Sequence, residues 1–383
     1  MELRLLHALT DVPATQWNAL NTGAHPFTTH EFLSGLEQHG CLDPEYGWRP
    51  LHATLWSGDE LLAAAPAYAK GNSHGEFVFD HAWANAYAQY GLDYYPKWLI
   101  GVPYSPVTGP RLLARDAEAK KHLLSSMRQA APSLGLHSIH ANFLDQDDLA
   151  AFDDSWLQRC DVQFHWRRRP EWKAFDDFLS ALNHKKRKNL KAERRNVAAA
   201  GVQLRVFEGA AASGEPMAAM HRFYRSTFAE KWNHAAMTDE FFQHLCTALP
   251  DSIVLVLAEK NGAPIAGALC LRSETALYGR YWGCAEEVAG LHFEACYYQG
   301  IAYCLEKGLS LFEPGAQGEH KLARGFLPTL TYSRHWLAEP RFHEALGRWC
   351  ASEREATGRY QAAGMAHSPF RSEDALDPSA TAP

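Results

Sequence analysis

Two pairs of strand-like apolar segments, each closed by a short turn, constrain this chain more than any other feature. In the first, His52–Trp56 and Glu60–Tyr68 are joined by Ser57-Gly58-Asp59. In the second, Ile253–Glu259 and Ile265–Arg272 flank Asn261-Gly262. Gly, Asn and Asp supply the left-handed backbone that a tight hairpin needs, so both pairs read as antiparallel hairpins. The elements around them follow a common order. Helix-forming segments bearing Trp17, Phe32, Leu33 and Leu36 precede the first hairpin. After it come a helix over Asp80–Tyr90, a strand over Trp98–Pro103, a helix over Glu118–Ala131 closed by Pro132 and Gly135, and strands over Ser138–Phe143 and Asp161–Trp166 separated by a helix near Asp147–Trp156. The second half begins with a long helix over Phe175–Ala200, stopped by Gly201. A strand over Val202–Phe207, helices over Pro216–Lys231 and Asp239–Leu249, the hairpin, a strand over Thr275–Trp282, a helix over His292–Lys307 and a strand over Leu309–Glu313 follow.

This order predicts an α+β chain with two related mixed, mostly antiparallel sheets flanked by helices. The boundary is expected near Arg167–Pro170, with domains at 1–166 and 167–360 and a frayed tail at 361–383 that carries Ser368, Pro369, Pro378 and Pro383. A chain of 383 residues with 46% hydrophobic content supports two cores and excludes general disorder.

Charge is unevenly placed. The whole chain has a formal net charge of -7, which argues against a general nucleic-acid coat. Residues 1–165 hold 10 Lys+Arg and 19 Asp+Glu, whereas residues 166–200 hold 11 and 4. The eight cysteines form no CxxC pair and read as reduced thiols. Met1–Trp17 is a poor signal peptide, and the longest apolar run, Leu61–Ala69, is short and contains Pro66; a cytoplasmic protein without a membrane span is expected.

Four segments carry side chains suited to chemistry. The first is His184–Arg195, with seven cations and one acid. Helical spacing puts Lys188, Lys191 and Arg195 on one side, with Lys185 among the candidate phosphate contacts. A solvated helix face is the alternative. The second is Leu311–Pro328, where glycines let the backbone approach a ligand and Glu313, Gln317, Glu319, His320, Lys321 and Arg324 supply acids, bases and donors. An ordinary charged loop is the alternative. The third, Lys70–Asp80, offers Lys70, Ser73 and Glu76 to a ligand, or a connection in which Ser73 or Asp80 caps the following helix. The fourth, Tyr94–Arg111, is rich in aromatic residues and proline, with Lys97 and Arg111 as its cations. No metal site is expected: HExxH is absent, and the pairs His137/His140 and His335/His343 lack a third ligand. A Walker pattern is absent too, and Cys296 and Cys304 read as core residues.

The stretches at 70–87, 94–111 and 184–195, together with Phe312-Glu313-Pro314-Gly315-Ala316-Gln317-Gly318-Glu319-His320-Lys321-Leu322-Ala323-Arg324-Gly325-Phe326-Leu327-Pro328, resemble the bacterial Fem-like proteins of peptidoglycan biosynthesis/recognition, within the Gcn5-related (GNAT) acyltransferase superfamily. The resemblance covers roughly 45 to 350 and implies two tandem GNAT-like domains. It also implies transfer of an acyl group to an amine on a small molecule or peptide, with no permanently bound cofactor. Acyl-CoA is the favoured donor and aminoacyl-tRNA the alternative. The usual CoA loop pattern, R/Q-x-x-G-x-G/A, is not met at Gln317-Gly318 or Arg324-Gly325, and Gly290 is a partial echo. On this reading Glu319 or His320 is the base, with Glu313 next. Lys321, Arg324 and Gln317 orient donor or acceptor, while Lys70, Ser73, Glu76, Lys97 and Arg111 line a cleft between the domains. A non-catalytic module that grips a cell-wall precursor or peptide is the competing expectation.

Overall fold

The computed structural model describes residues 1–230, 234–316 and 318–371. The described chain forms two compact units, Met1–Val162 with Leu330–Tyr360, and Gln163–Thr329 with the segment from Gln361 onward. Each carries the mixed, mostly antiparallel sheet and flanking helices expected of a GNAT-like domain.

In the first unit, one sheet orders Glu2–Leu6, His52–Ser57, Glu60–Ala65 and Leu113–Ala114, all antiparallel. The expected hairpin forms, but its second strand ends at Ala65. Pro66 has no N–H to give to a ladder, and Ala67–Lys70 joins a second sheet instead. There it lies between Trp48–Pro50 and Lys97–Ile100; Ser138–Asn142 then pairs parallel to Lys97–Ile100. Helix Ala117–Ala130 is capped by the Asp116 carboxylate, which accepts from the Ala119 N–H at 2.8 Å. It buries Leu123, Leu124 and Met127 against the alanine-rich strands Ala53–Ala65.

The reading of 167–360 as a single domain is corrected here. Ser333–Leu337 pairs with Ser138–Asn142, from His335↔His140 to Leu337↔Ser138. The helix that follows, Pro340–Ala366, packs Phe342, Leu346 and Cys350 on Trp83, Tyr87, Tyr94 and Leu337. Residues 330–360 therefore belong to the first unit, because their hydrogen-bond and apolar partners are there. The expected helix at Asp147–Trp156 shrinks to Gln146–Leu149.

In the second unit the sheet runs Val202–Glu208, Ile253–Lys260, Ala263–Arg272, Ala276–Cys284, Leu311–Glu313 and then the end of Leu157–Arg167. The hairpin turn has Asn261 at φ 54° and Gly262 at φ 78°, the primed-turn backbone that its sequence demands. Ala276–Cys284 and Leu311–Glu313 are parallel but pair over only three positions, ending at Tyr278↔Glu313. Beyond Tyr278 the longer strand stays with Ala263–Arg272 and shifts register there, so Arg280 has no opposite residue. At Gly279 a Cβ would meet the Pro314 backbone at 3.2 Å, so glycine allows the loop to lie close.

The long basic helix is two helices. Phe175–Ala181 ends at Leu182, and Asn183 caps His184–Ala199 by accepting from the Lys186 N–H at 3.0 Å. The frayed tail is corrected in part: Gln361–Ala366 is helical, and Phe370 is buried beside Trp172 and Phe178 and bridges Leu182. The rest of that tail, from residue 372, lies outside the described residues. No helix among the described residues is long and apolar enough to cross a membrane.

Candidate functional site

In the second unit, the strand Leu311–Glu313 feeds a glycine-containing loop and a 3-10 turn, Glu319–Arg324. Gly318 sits at φ 115°, and a Cβ there would be 2.4 Å from the His320 ring. Only glycine satisfies both the backbone and the space. His320 is exposed, and its Nε2 is 2.9 Å from the Tyr297 hydroxyl. Burial, Arg324 and Lys321 lower its pKa, so the ring is neutral near neutral pH. Phe293 lies 5.6 Å away, ring to ring.

The next two cations are buried. Lys321 donates to the Gly315 carbonyl at 2.6 Å, and burial pushes its ammonium down to about 8. The Arg324 guanidinium lies 3.3 Å from the centre of the Phe293 ring. It donates to the Tyr298 hydroxyl at 3.1 Å, the His320 carbonyl at 2.8 Å and the Glu193 carboxylate at 2.7 Å. Tyr298 in turn donates to the other Glu193 oxygen. Glu193, the single acid of the basic helix, thus ties that helix to the loop. Arg194 beside it pairs with Glu294 at 3.1 Å.

Glu313 is buried at the strand end. Its carboxylate is 3.9 Å from His165 Nε2, whose ring is pushed to about 3 by burial and by the nearby cations Arg167 and Lys321. Glu319 is exposed, and Gln317 lies outside the described residues. Lys185, Lys188, Lys191 and Arg195 are all exposed on their helix and engage no ion pair or hydrogen bond among the described residues. Between the parting strands is a gap of about 70 Å³ lined by Gly279, Arg280, Tyr281, His292, Cys296, Tyr297 and Pro314 among others. Tyr297, the partner of His320, is part of that wall.

Sequence reasoning missed Glu193, Tyr297 and Tyr298. A lone acid in a cationic run is a signal that could have pointed to Glu193, since like-charged neighbours disfavour an unpaired run. Replacing Glu193 by Ala leaves Arg324 buried without its counter-charge. A loss of about 2–4 kcal/mol in denaturant unfolding is expected, and a smaller one for Glu193→Gln. An unchanged midpoint for Glu193→Ala would remove the tether from the account.

The first-unit residues are placed differently. Lys70, Ser73, Glu76 and Lys97 do come together, but all are buried. Lys97 pairs with Glu76 at 2.9 Å and with Asp80, and donates to Ser73 at 2.9 Å. Asp80 also accepts from Ser73 and, at 2.6 Å, from Tyr94. Asp80 therefore does not cap the following helix with its side chain, because Lys97, Ser73 and Tyr94 engage its carboxylate. Lys70 donates to the Tyr46 and His74 carbonyls and stands 3.8 Å over the Trp48 ring. Arg111 is elsewhere in this unit: it donates to the Val107 and Pro110 carbonyls, and its own N–H goes to Asp148.

The FemAB-like family model, described as peptidoglycan biosynthesis/recognition, matches residues 8–372. Among curated proteins none matches the chain. In structure the chain is similar to FemX, with TM-score 0.53 and 11% identity over 91% of this chain and all of that one (100%). It is likewise similar to the C-terminal domain of a putative lysylphosphatidylglycerol synthetase from Agrobacterium fabrum, with TM-score 0.52 and 11% identity over 87% of this chain and 94% of that one.

Proposed function

From the premise that the chain belongs to the FemAB-like family of peptidoglycan biosynthesis/recognition, we propose that it is a transferase that moves an acyl group from a phosphate-bearing donor to an amine of a peptidoglycan-precursor peptide. The observation that carries this reading is the pairing of His320, neutral and oriented by Tyr297, with a free cationic row on the helix that Glu193 ties to the same loop.

An ammonium has no lone pair, so the acceptor must lose a proton before its nitrogen attacks the acyl carbon. His320 takes that proton. The N–C bond forms, the bond from carbon to the donor's sulfur or ribose oxygen breaks, and the leaving group is reprotonated. Glu319 is exposed beside His320, and Glu313 is buried against His165, so His320 is the base this geometry favours. Lys321 and Arg324 hold the loop through Gly315, His320 and Glu193. They therefore position His320 and place fixed positive charge beside it.

Two observations bear on the donor. Lys185 to Arg195 spans about 15 Å of helix, longer than one diphosphate, and this favours an RNA-borne aminoacyl group. The gap between the parting strands, of about 70 Å³ and walled by Tyr297, has room for a short acyl group and favours acyl-CoA. A thermal-shift panel with CoA, longer acyl-CoAs and aminoacyl-tRNA separates them, since only a bound donor raises stability. Steep weakening with salt, reduced when Lys185, Lys188, Lys191 and Arg195 are replaced by Ala, identifies tRNA; a stabilising, salt-tolerant acyl-CoA identifies the other donor. For the chemistry, His320→Ala is expected to slow transfer by about 10²–10⁴-fold with the fold intact. Full activity in His320→Ala would overturn its role as base, and absence of transfer with every donor, together with tight binding of a cell-wall peptide, would favour a binding module.

A further inference from the structure

The first unit contains a cleft of about 290 Å³ that the proposed transfer does not use. Its walls come from the segment before helix His81–Gln89, from the strands carrying Asp161 and Ser333, and from helix Pro340–Ala366. Two of its lining residues, Phe77 and Phe143, have left-handed backbone, at φ 60° and 58°. Bulky residues hold that conformation only at an energetic cost, and such strain gathers at binding sites. Two of its aromatic residues, Phe79 and Trp349, are large apolar side chains left 57% and 42% exposed.

The charges in the walls do not cancel. Arg159 lies 5.1 Å from both the Trp83 and Trp349 rings and is neutralised by a two-point pair with Glu353, at 2.8 and 2.7 Å. That leaves Asp161. One of its oxygens accepts from the Val162 N–H at 2.7 Å, and its carboxylate makes no ion pair among the described residues. Partial burial and the neighbouring Glu353 raise its pKa against the opposing pull of the Val162 N–H and of Arg159, whose own charge is paired with Glu353. The buried indole N–H of Trp83 in the same wall also has no hydrogen-bond partner.

We infer that this cleft binds an amine: a primary ammonium on a short apolar stem, with the ammonium at Asp161 and the stem along Phe79 and Trp349. A carboxylate that makes no ion pair among the described residues supplies the charge, and the exposed edges of Phe79 and Trp349 supply apolar area for the stem. The inference is independent of whether the second unit transfers acyl groups.

Titration calorimetry on the full chain near neutral pH tests it, with pentylamine and with pentanol, its uncharged counterpart. Pentylamine is expected to bind about tenfold or more tightly than pentanol. Asp161→Asn, which keeps the oxygen that Val162 needs, should weaken pentylamine about tenfold and leave pentanol unchanged. Trp349→Ala should weaken both. Equal affinity for amine and alcohol, an Asp161→Asn variant that folds and binds pentylamine as before, or no pentylamine binding at millimolar concentration would each overturn the inference. If Asp161→Asn does not fold, the amine-to-alcohol ratio in the parent protein decides. Displacement of pentylamine by a lysine-containing tripeptide, but not by its Nε-acetyl form, would identify a peptide side chain as the source of the amine. Inert tripeptides with pentylamine still bound would identify a small free amine.

Discussion

Replacing Lys97 by Met is expected to unfold the first unit or bring it close to unfolding. Lys97 is fully buried and faces two carboxylates, Glu76 and Asp80. Burial pushes its pKa down, but the two carboxylates outweigh burial and hold it above the usual lysine value. Asp80 keeps its negative charge against the cost of burial because Lys97, Ser73 and Tyr94 all bond to it. Glu76 is different: burial pushes its carboxyl up to about 7, and one of its oxygens has no partner. The cluster is therefore one cation, one firm anion and one carboxyl that is half protonated near neutrality. Without Lys97 the Asp80 charge is stranded in the core. Breaking such a buried pair costs about 3–5 kcal/mol, a large part of the 5–15 kcal/mol that holds a typical domain together. Urea unfolding of Lys97→Met measures the loss, and the triple variant with Glu76→Gln and Asp80→Asn should recover much of it, since no charge is then left unpaired. A Lys97→Met protein as stable as its parent would show that the cluster is not held by this charge balance.

Acid is expected to destabilise the protein well before the ordinary carboxylates titrate. His25 and His165 are buried and held down to about 3, chiefly by burial and then by neighbouring cations. His140 and His335 are buried too, and burial first of all lowers both well below the usual histidine value. Their Nδ1 atoms are 2.7 Å apart, so one donates to the other, and two protonated rings would meet proton to proton. The sign follows from linkage. Between about 3 and 6.5 the unfolded chain binds protons at these rings and the folded chain does not, so the rings' contribution to stability is full above about 6.5 and is lost as pH falls. Glu76, at about 7, and Asp148, raised to about 6 by burial, act the other way, because the folded chain binds their protons more tightly. Four rings against two carboxyls leave a net of about two protons, or about 2–3 kcal/mol per pH unit. Unfolding midpoints measured from pH 7 to 4 should drop steeply, and His25→Gln or His165→Gln should each flatten the slope by about one proton. A flat profile would mean that these rings are hydrated or protonated in the folded protein.

Much of the architecture was legible because it is set locally. The Asn261-Gly262 turn and the helix Ala117–Ala130, with its Asp116 cap, carry their instructions within a few residues. Pro66 in the first hairpin was also visible, and its missing N–H is enough to end the strand at Ala65. The break at Leu182 was harder to see, because a cationic run hides a cap; Asn183 was the available signal. The strand and helix that return to the first unit were not legible, since a strand's partner is chosen by register and burial across long stretches of chain.

The residues of the candidate site divide along the same line. The sequence by itself determined the inventory: a cationic helix, a glycine-bounded loop with Glu313, Glu319, His320, Lys321 and Arg324, and two hairpins that give an α+β chain. Chemistry of that kind depends on residue type and short spacing. Only the tertiary structure decided which of these groups are free to act. It buried Lys70, Ser73, Glu76 and Lys97 in one another's company, joined Glu193 to Arg324, and left Lys185, Lys188, Lys191 and Arg195 exposed. The physical reason is that a charged side chain's state depends on the water and counter-charges around it. Those are supplied by residues far along the chain and are absent from any local pattern.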